Sequence, residues 1–236
     1  MGQKVSSTGF RLGVTEDWRS RWYSDKDYAA NLENDLVIRK FLEKQLAHAA
    51  VSRVEIERAG DKIKVIITTS RPGVVIGKKG AEVDALRKKL NQIANGTVSV
   101  EVVEVKRPEL DANLIAQSIA EQLENRVAFR RAMRKAVQSA RKSGAKGIRI
   151  QCAGRLGGAE MSRREWYREG RVPLHTLRAK IDYGFATAAT TMGSIGIQVW
   201  VYHGEVLPGQ KAPQPALEGS SRPNRRGRRN NDRGDK

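Results

Sequence analysis

The run Arg71-Pro-Gly-Val-Val-Ile-Gly-Lys-Lys-Gly80 constrains the fold more than any other part of this sequence. Apolar residues at helical spacing, and β-branched runs joined by a short Gly-containing connection, surround it and predict a small α+β unit. Its predicted elements are a helix at 36–50, hairpin strands at 51–58 and 62–69, a helix at 81–93 and a strand at 97–105. The predicted order is αββααβ, in which the run joins the two consecutive helices.

The glycines of this run allow three interpretations. A Walker phosphate loop has four residues between its first Gly and the Gly-Lys-Ser/Thr, but only three lie between Gly73 and Gly77. Lys79 also stands where Ser or Thr is required, which excludes a standard nucleoside triphosphate site. An ordinary turn is the second interpretation, since glycine is common in turns. The third is the GxxG loop of a KH domain, which clamps about four nucleotides of single-stranded backbone.

The element order favours the KH interpretation. A GxxG alone is a weak signal, but a GxxG between two helices in the order αββααβ is a strong one. Glycine lets a chain approach a phosphodiester closely, and the two lysines would meet phosphate there. We therefore predict that Gly77, Lys78, Lys79 and Gly80 bind RNA. Only 6% of residues are aromatic, so electrostatics rather than base stacking should dominate the affinity.

The net charge of +18 points to a polyanionic partner. Residues 208–236 combine eight Lys or Arg with three acids, a net +5, and contain no aromatic residue. They cannot bury enough apolar surface to offset chain entropy, so we predict a disordered basic tail. Subtracting 5 from 18 leaves +13 on residues 1–207, so most of the excess belongs to the folded body.

A helical segment from about 112 to about 143 carries the densest part of that charge. Asp111 is a good N-cap, and the apolar phase shifts at 127–130, where the helix is predicted to break. On a wheel of about 100° per residue, the cations after the break share an arc of about 140° and the apolar residues lie opposite. Like charges on one helix face repel each other, so phosphate contact is favoured over an ordinary solvated face. The predicted RNA-binding residues here are Arg130, Arg131, Arg134, Lys135, Arg141 and Lys142.

The C-terminal half is predicted to form a second α+β domain with a mainly antiparallel sheet. Strands are predicted from 147 to 154, from 179 to 190 and from 195 to 201. Between the first two, arginines alternate with Trp166 and Tyr167. These residues could present an Arg and aromatic surface to RNA, or the two aromatic residues could belong partly to the core.

Several classes of function are excluded by what the sequence lacks. The three histidines lie far apart, no Cys/His spacing resembles a metal site, and neither a metal nor a cofactor is predicted. No apolar stretch approaches the roughly 18 residues that a membrane span needs. The single cysteine, Cys152, is predicted to be a small core residue in a reducing cytoplasm. An enzyme such as a nuclease or an ATP-driven helicase is therefore not expected.

Six motifs together resemble the universal family of bacterial small-subunit ribosomal protein three. They are MGQKV at the start, GFRLGV at 9–14, RPGVVIGKKG at 71–80, RRAM at 130–133, GRLGGAE at 154–160 and EWYREGRVPLHTLRA at 165–179. The resemblance spans about residues 1–207. It implies a type II KH domain followed by a second α+β domain, in a structural RNA-binding protein of the cytoplasmic ribosome.

The resemblance also implies a location and partners. The protein would lie on the head of the small subunit and bind small-subunit ribosomal RNA, messenger RNA and small-subunit proteins ten and fourteen, with no membrane partner and no homo-oligomer. In the family a basic helix faces incoming messenger and supports its unwinding. Arg130, Arg131 and Arg134 match that helix, and Arg134-Lys135 replaces a common Lys-Arg pair and conserves its charge.

The predicted organisation has four parts: an N-terminal segment at 1–35, a KH domain at 36–106, a C-terminal ribosomal domain at 107–207 and the tail at 208–236. A free KH-domain regulator that acts off the ribosome is the alternative function. Such a regulator would show base preference in its binding. The sequence contains no additional RNA-binding module, which speaks weakly against this alternative.

Overall fold

The computed structural model describes residues 4–60, 62–94 and 96–207, so the predicted tail at 208–236 lies outside the described residues. The helices are α1 (Ser7–Arg11), α2 (Tyr28–Gln45), α3 (Pro72–Ile76), α4 (Ala81–Ala94), α5 (Ala112–Glu124) and α6 (Phe129–Lys142). The strands are β1 (Ser20–Arg21), β2 (Val51–Ala59), β3 (Lys62–Thr69), β4 (Thr97–Glu104), β5 (Gly147–Gly154), β6 (Arg163–Gly170), β7 (Ala179–Thr190) and β8 (Gly193–Glu205).

The first sheet has the strand order β1-β2-β3-β4 and confirms the predicted αββααβ unit. Strands β2 and β3 form the predicted antiparallel hairpin, and β4 runs parallel to β3. Alternate residues of β2 and β3 are buried, as expected for strands with one face on a core. Helices α2 and α4 supply the other half of that core, with Ile38, Leu42 and Leu90 fully buried.

Helix α2 begins at Tyr28 rather than at the predicted Leu36. Its first turns are mostly exposed and bury no apolar side chain, so apolar periodicity does not reveal them. Tertiary hydrogen bonds hold them instead: Arg58 forms an ion pair of 2.6 Å with the buried Asp35. The indole of Trp22 donates to the same carboxylate at 2.9 Å.

The second sheet has the order β6-β5-β8-β7, with every neighbouring pair antiparallel. Helices α5 and α6 pack on one side of it, where Ile119, Met133 and Ile148 are fully buried. The predicted α+β architecture with an antiparallel sheet is confirmed. Strand β6 was not predicted, because its alternating Arg, Glu and aromatic residues lack the β-branched enrichment of a buried strand.

The N-terminal segment contacts both sheets. Its strand β1 pairs in parallel with β2 at the edge of the first sheet. In α1, the side chain of Arg11 is fully buried beside the second sheet. Its Nε donates to Ala179 O at 2.7 Å, and its Nη2 donates to Leu174 O at 2.9 Å and to Thr176 O at 3.0 Å.

The start of α5 joins the two sheets directly. The side chain of Asp111 caps the helix by accepting from Leu114 N at 3.0 Å, as predicted, and also accepts from the Ser52 hydroxyl. Two amide side chains of α5 donate to β2 carbonyls: Asn113 to Ser52 O at 2.9 Å and Gln117 to Val51 O at 3.0 Å. No helix among the described residues is long and apolar enough to cross a membrane.

Candidate nucleic-acid interface

The break before α6 lies where the sequence predicts it and has a definable geometry. Helix α5 ends at Glu124 with Asn125 as its C-cap, and Arg126 follows with a φ of 60°. Arg126 N donates to Leu123 O and Val127 N donates to Gln122 O, each at 3.0 Å. This pair of bonds is the Schellman arrangement, which requires a left-handed residue that is usually glycine. The turn directs the chain into a second helix with a new apolar phase.

The other end of α6 uses the same arrangement with glycine. Gly144 has a φ of 102°, and Ala145 N donates to Ala140 O at 3.0 Å. The guanidinium of Arg141 adds to this end, since its Nη1 donates to Ala145 O at 2.8 Å and to Lys146 O at 3.0 Å. Hydrogen-bonded turns therefore lie on both sides of α6, one at the end of α5 and one at the C-terminus of α6 itself.

Helix α6 has one buried face and one cationic face, as the wheel predicts. Ala132, Met133, Val137 and Ala140 are buried against the second sheet. The cations on the opposite side are all exposed, and together they define the cationic face: Arg130, Arg131, Arg134, Lys135, Arg141 and Lys142.

Three arginines of the cationic face are held by strand β6. Arg130 forms an ion pair with Glu165 at 3.4 Å, and Arg141 forms one with Glu169 at 3.3 Å. The guanidinium of Arg134 lies 5.7 Å from the ring centre of Tyr167. These contacts orient the long side chains before any ligand arrives, which reduces the entropy lost on binding.

The remaining cations have no such restraint. Within the part of the chain that the structure describes, Arg131, Lys135 and Lys142 form no hydrogen bond or ion pair through their side chains. A surface depression of about 460 Å³ lies among the arginines, and no acid lines it. Its lining residues are Ala128, Arg130, Arg131, Arg134, Lys135 and Gln138. Such a depression favours a strongly negative ligand.

The predicted GxxG residues form a tight turn between α3 and α4. Gly77 ends α3 with a φ of 69°, and a Cβ at this position would overlap with the side chain of Glu82. Lys78, Lys79 and Gly80 form a single 3₁₀ turn that leads directly into α4, and the side chain of Lys78 is exposed. The glycine at 77 is therefore required by both backbone conformation and space.

A cleft of about 420 Å³ is lined by residues of α5 and α6 and by the residues just before α3. Arg71, which precedes α3, and Lys135 of the cationic face are among the residues that line it. Glu109 and Glu121 also line it, so the cleft is less cationic than the depression on α6.

The sequence left open whether the aromatic residues of β6 face outward or belong partly to the core, and the two residues differ in this respect. Tyr167 packs against the core, whereas Trp166 is 55% exposed on the other side of the sheet. Sequence reasoning missed Glu165 and Glu169 as partners of α6. Their signal was available, since a period of two along 163–170 places both acids on the side of Tyr167.

The reactive groups that the structure describes include one buried thiol, Cys152. Burial raises the pKa of Cys152 to about 12, so the thiol stays protonated and unreactive at neutral pH. No group of three or more His, Cys, Asp or Glu side chains in the described ranges could hold a metal ion.

Comparison with known proteins agrees with this architecture. The family model for the KH domain matches residues 37–110, and the model for ribosomal protein S3, C-terminal domain, matches residues 119–201. The chain is 62% identical over 211 residues to small ribosomal subunit protein uS3 of Geobacter sulfurreducens, covering 89% of this chain and 100% of that protein. It is 60% identical over 218 residues to the uS3 protein of Myxococcus xanthus, covering 92% and 99% of the two chains. The chain belongs to the uS3 family.

Membership in the uS3 family confirms several predictions at once. The chain is a structural protein of the small ribosomal subunit in the cytoplasm rather than an enzyme, and its KH domain makes ribosomal RNA a partner.

Proposed function

We propose that the cationic face of α6 binds messenger RNA where it enters the small subunit on the head side, and helps to hold the strand and to open its secondary structure. The observation that carries this proposal is the unbalanced charge of the face. Six cations lie on one side of α6. The two acids that form ion pairs with them, Glu165 and Glu169, both come from β6.

The face is unfavourable without a ligand, which supports a polyanionic partner. Like charges at i,i+4, such as Arg130 with Arg134 and Arg131 with Lys135, destabilise a helix by about 0.2–0.5 kcal/mol per pair. Lys135 and Lys142 have no acidic partner within the described residues. Phosphate groups would neutralise this repulsion and release condensed counterions.

Opening of messenger structure by this face would be passive. The sequence contains no standard nucleoside triphosphate loop, since the spacing from Gly73 to Gly77 is one residue short and Lys79 replaces Ser or Thr. Contacts between cations and phosphates favour a strand that has separated, while translocation supplies the work. The proposal therefore concerns stabilisation of an open strand, not a motor.

Two further parts of the proposal concern the rest of the chain. The GxxG turn at Gly77–Gly80 would contact RNA backbone, and the chain would contact small-subunit proteins ten and fourteen. For domain organisation we propose an N-terminal segment at 1–35, a KH domain at 36–106, a C-terminal domain at 107–207 and a tail at 208–236.

The test of the messenger contact uses small subunits that carry the triple variant Arg130→Ala, Arg131→Ala, Arg134→Ala. Elongation is measured on two messengers of equal length, one with a stable hairpin ahead of the ribosome and one without. The variant is expected to slow passage through the hairpin by about tenfold or more and to leave the unstructured message close to normal.

A charge-matched control replaces Lys26, Lys40 and Lys44 by Ala. All three are exposed cations in or near α2, so the control removes the same net charge elsewhere. Equal slowing of both messengers by the α6 variant would show a purely architectural role. Equal slowing of the hairpin message by the two variants would show a general charge effect.

The GxxG contact is tested by mapping RNA crosslinks to residues 77–80 in whole small subunits. Lys78→Asp is the matched variant, because Lys78 is exposed and a change at Gly77 would disrupt the turn against Glu82. RNA crosslinks that disappear in the variant support the contact. Crosslinks to protein alone would contradict it.

A further inference from the structure

Helices α5 and α6 leave one side of the second sheet uncovered, and at one end of that side Val172 and Leu174 pack against Ile181, Tyr202 and Trp200. Helices α5 and α6 pack on one side, and alternate residues of each strand point to the other. The strand register aligns the uncovered residues in three rows across β6, β5, β8 and β7. We call them the open face: Arg168, Arg149, Trp200 and Tyr183; Trp166, Gln151, Gln198 and Phe185; and Arg164, Ala153, Gly196 and Thr187.

The side chains of the open face are already ordered by one another. The Arg149 guanidinium lies 5.0 Å from the ring centre of Trp200 and 5.6 Å from that of Trp166. The rings of Trp200 and Tyr183 are 5.4 Å apart. Contacts of this kind rigidify a surface, so a partner would bind it with little loss of side-chain freedom.

The amides of the middle rows complete this network. Gln151 Nε2 donates to Gln198 Oε1 at 2.9 Å, and Arg149 Nη2 donates to Gln151 Oε1 at 3.2 Å. At opposite edges of the same row, Trp166 and Phe185 are each 55% exposed. The face therefore has an ordered polar centre between two exposed aromatic side chains.

The charge of the open face has a single sign. Its three rows contain Arg149, Arg164 and Arg168 and neither an acid nor a lysine. The acids of β6 point to the opposite side, where Glu165 and Glu169 pair with α6. Alternation thus places both acids of β6 on the side of α6, together with Arg163, and places Arg164, Trp166 and Arg168 on the open face.

The size of the face suits a contact within an assembly. Each strand contributes three residues to the open face, spread over a length of about six residues at 3.3 Å, and four strands about 4.8 Å apart give an area of roughly 400 Å². A patch this small gives a modest contact by itself, which suits a neighbour that other components of a particle also hold in place.

The composition favours a protein partner over RNA. Tryptophan, tyrosine and arginine dominate protein interface centres, from which lysine is depleted. A base-stacking platform instead needs free ring faces, and here Arg149 lies over two indoles while Tyr183 packs beside Trp200.

We propose that the open face docks a neighbouring protein of the small subunit through an apolar surface flanked by carboxylates. Trp166 and Phe185 would be covered by apolar side chains, and Arg164 and Arg168 would meet the carboxylates. The inference rests on membership in the uS3 family and on the proposed contact with neighbouring proteins, but not on the messenger contact of α6.

The first experiment places the photocrosslinker p-benzoylphenylalanine at position 185 of the full chain in assembled small subunits. Mass spectrometry of the adduct is expected to identify a segment of another small-subunit protein that contains Asp or Glu. An adduct with ribosomal RNA, an adduct with a second copy of this chain, or no adduct would each overturn the proposal. The crosslinker at Tyr23, which is 86% exposed outside the open face, is the matched control and should not give the same adduct.

The second experiment measures the occupancy of that protein in salt-washed subunits that carry Phe185→Asp or Arg168→Glu. Each variant is expected to lower the occupancy by about tenfold, as for an interface residue of moderate importance. Leu36→Asp on α2, at an equally exposed apolar position, should leave it unchanged. Unchanged occupancy in both open-face variants would overturn the proposal.

Two measurements keep the outcomes distinct. The urea midpoint of each free variant is compared with that of the parent, and because the changed residues are exposed, it should hardly move. The triple variant of α6 should leave the occupancy unchanged. Failure of the messenger proposal is thereby separated from failure of this one.

Discussion

Arginines serve two opposite purposes in this molecule. On α6, the side chain of Arg131 is exposed and forms no hydrogen bond or ion pair within the described ranges. Beside the second sheet, Arg11 is fully buried and donates to backbone carbonyls of Ser7, Pro173, Leu174, Thr176 and Ala179. Burial lowers the pKa of Arg11, and the carboxylate of Glu16 opposes that shift. The same side chain stabilises the fold in one place and remains available to a ligand in the other.

The contrast shows why net charge alone does not locate an RNA surface. A guanidinium surrounded by carbonyl oxygens is committed to the protein, whereas one without acceptors nearby can bind phosphate. The distinction is testable, because the first kind of arginine should affect stability and the second kind should affect the salt dependence of RNA binding.

The largest effect is expected at Arg11. Arg11→Ala leaves five donor–acceptor contacts unmade and several carbonyls unsatisfied, and should lower the free energy of unfolding by about 3–5 kcal/mol. Arg11→Lys should restore little, because an ammonium lacks the planar fork. Urea denaturation followed by circular dichroism measures both. A loss below about 1 kcal/mol for Arg11→Ala would contradict the assignment of Arg11 to the arginines that stabilise the fold.

Arg141 belongs both to the arginines that stabilise the fold and to those available to a ligand. Its guanidinium lies on the cationic face but donates to Ala145 O and Lys146 O at the end of α6. Arg141→Ala should therefore cost about 1–2 kcal/mol of stability. Lys142→Ala, which removes the neighbouring charge, should cost less than about 0.5 kcal/mol. Equal stability of the two variants, by the same urea measurement, would place Arg141 wholly among the free cations.

Arg126 sharpens the comparison in another way, because its backbone matters more than its charge. It holds a left-handed conformation at the end of α5, where Gly144 holds the corresponding place after α6. Arg126→Gly should stabilise the protein by about 1 kcal/mol, and Gly144→Ala should destabilise it by a similar amount. Thermal unfolding of both variants measures the difference. A loss of stability on Arg126→Gly would show that the Arg126 side chain contributes to the turn.

The smallest effect on stability is expected at Arg131. The double variant Arg131→Ala, Lys135→Ala should change the free energy of unfolding by less than about 0.5 kcal/mol. For single-stranded RNA, it should lower the slope of log affinity against log salt by about 0.7 for each lost phosphate contact. Filter binding at several salt concentrations gives the slope. An unchanged slope would remove these two residues from the interface.

How far the sequence predicted the structure follows from the type of signal at each position. The cationic face of α6 was predictable because helical periodicity places residues on faces without any tertiary information. The break at 127–130 was predictable from the shift in apolar phase. The turn chemistry at Arg126 was not, since nothing local indicates that an arginine will occupy the left-handed region.

The misses share a physical cause. The first turns of α2 depend on the buried pair of Arg58 and Asp35, and α1 depends on Arg11, whose partners lie far along the chain. In strand β6, alternation places Glu165 and Glu169 on the side of Tyr167, but only the packing of the sheet brings that side against α6. Periodicity therefore gives the face of a polar side chain but not its partner, which depends on tertiary structure.

The position of Arg11 also determines when the protein can be complete during its own synthesis. Its bond to Ala179 spans 168 residues, so the acceptor is made long after the donor. At about 5–20 residues per second, roughly 8–34 s separate the two during translation. Helix α1 must therefore wait for its acceptor until the start of β7 is synthesised, although β1 of the same segment can pair with β2 much earlier.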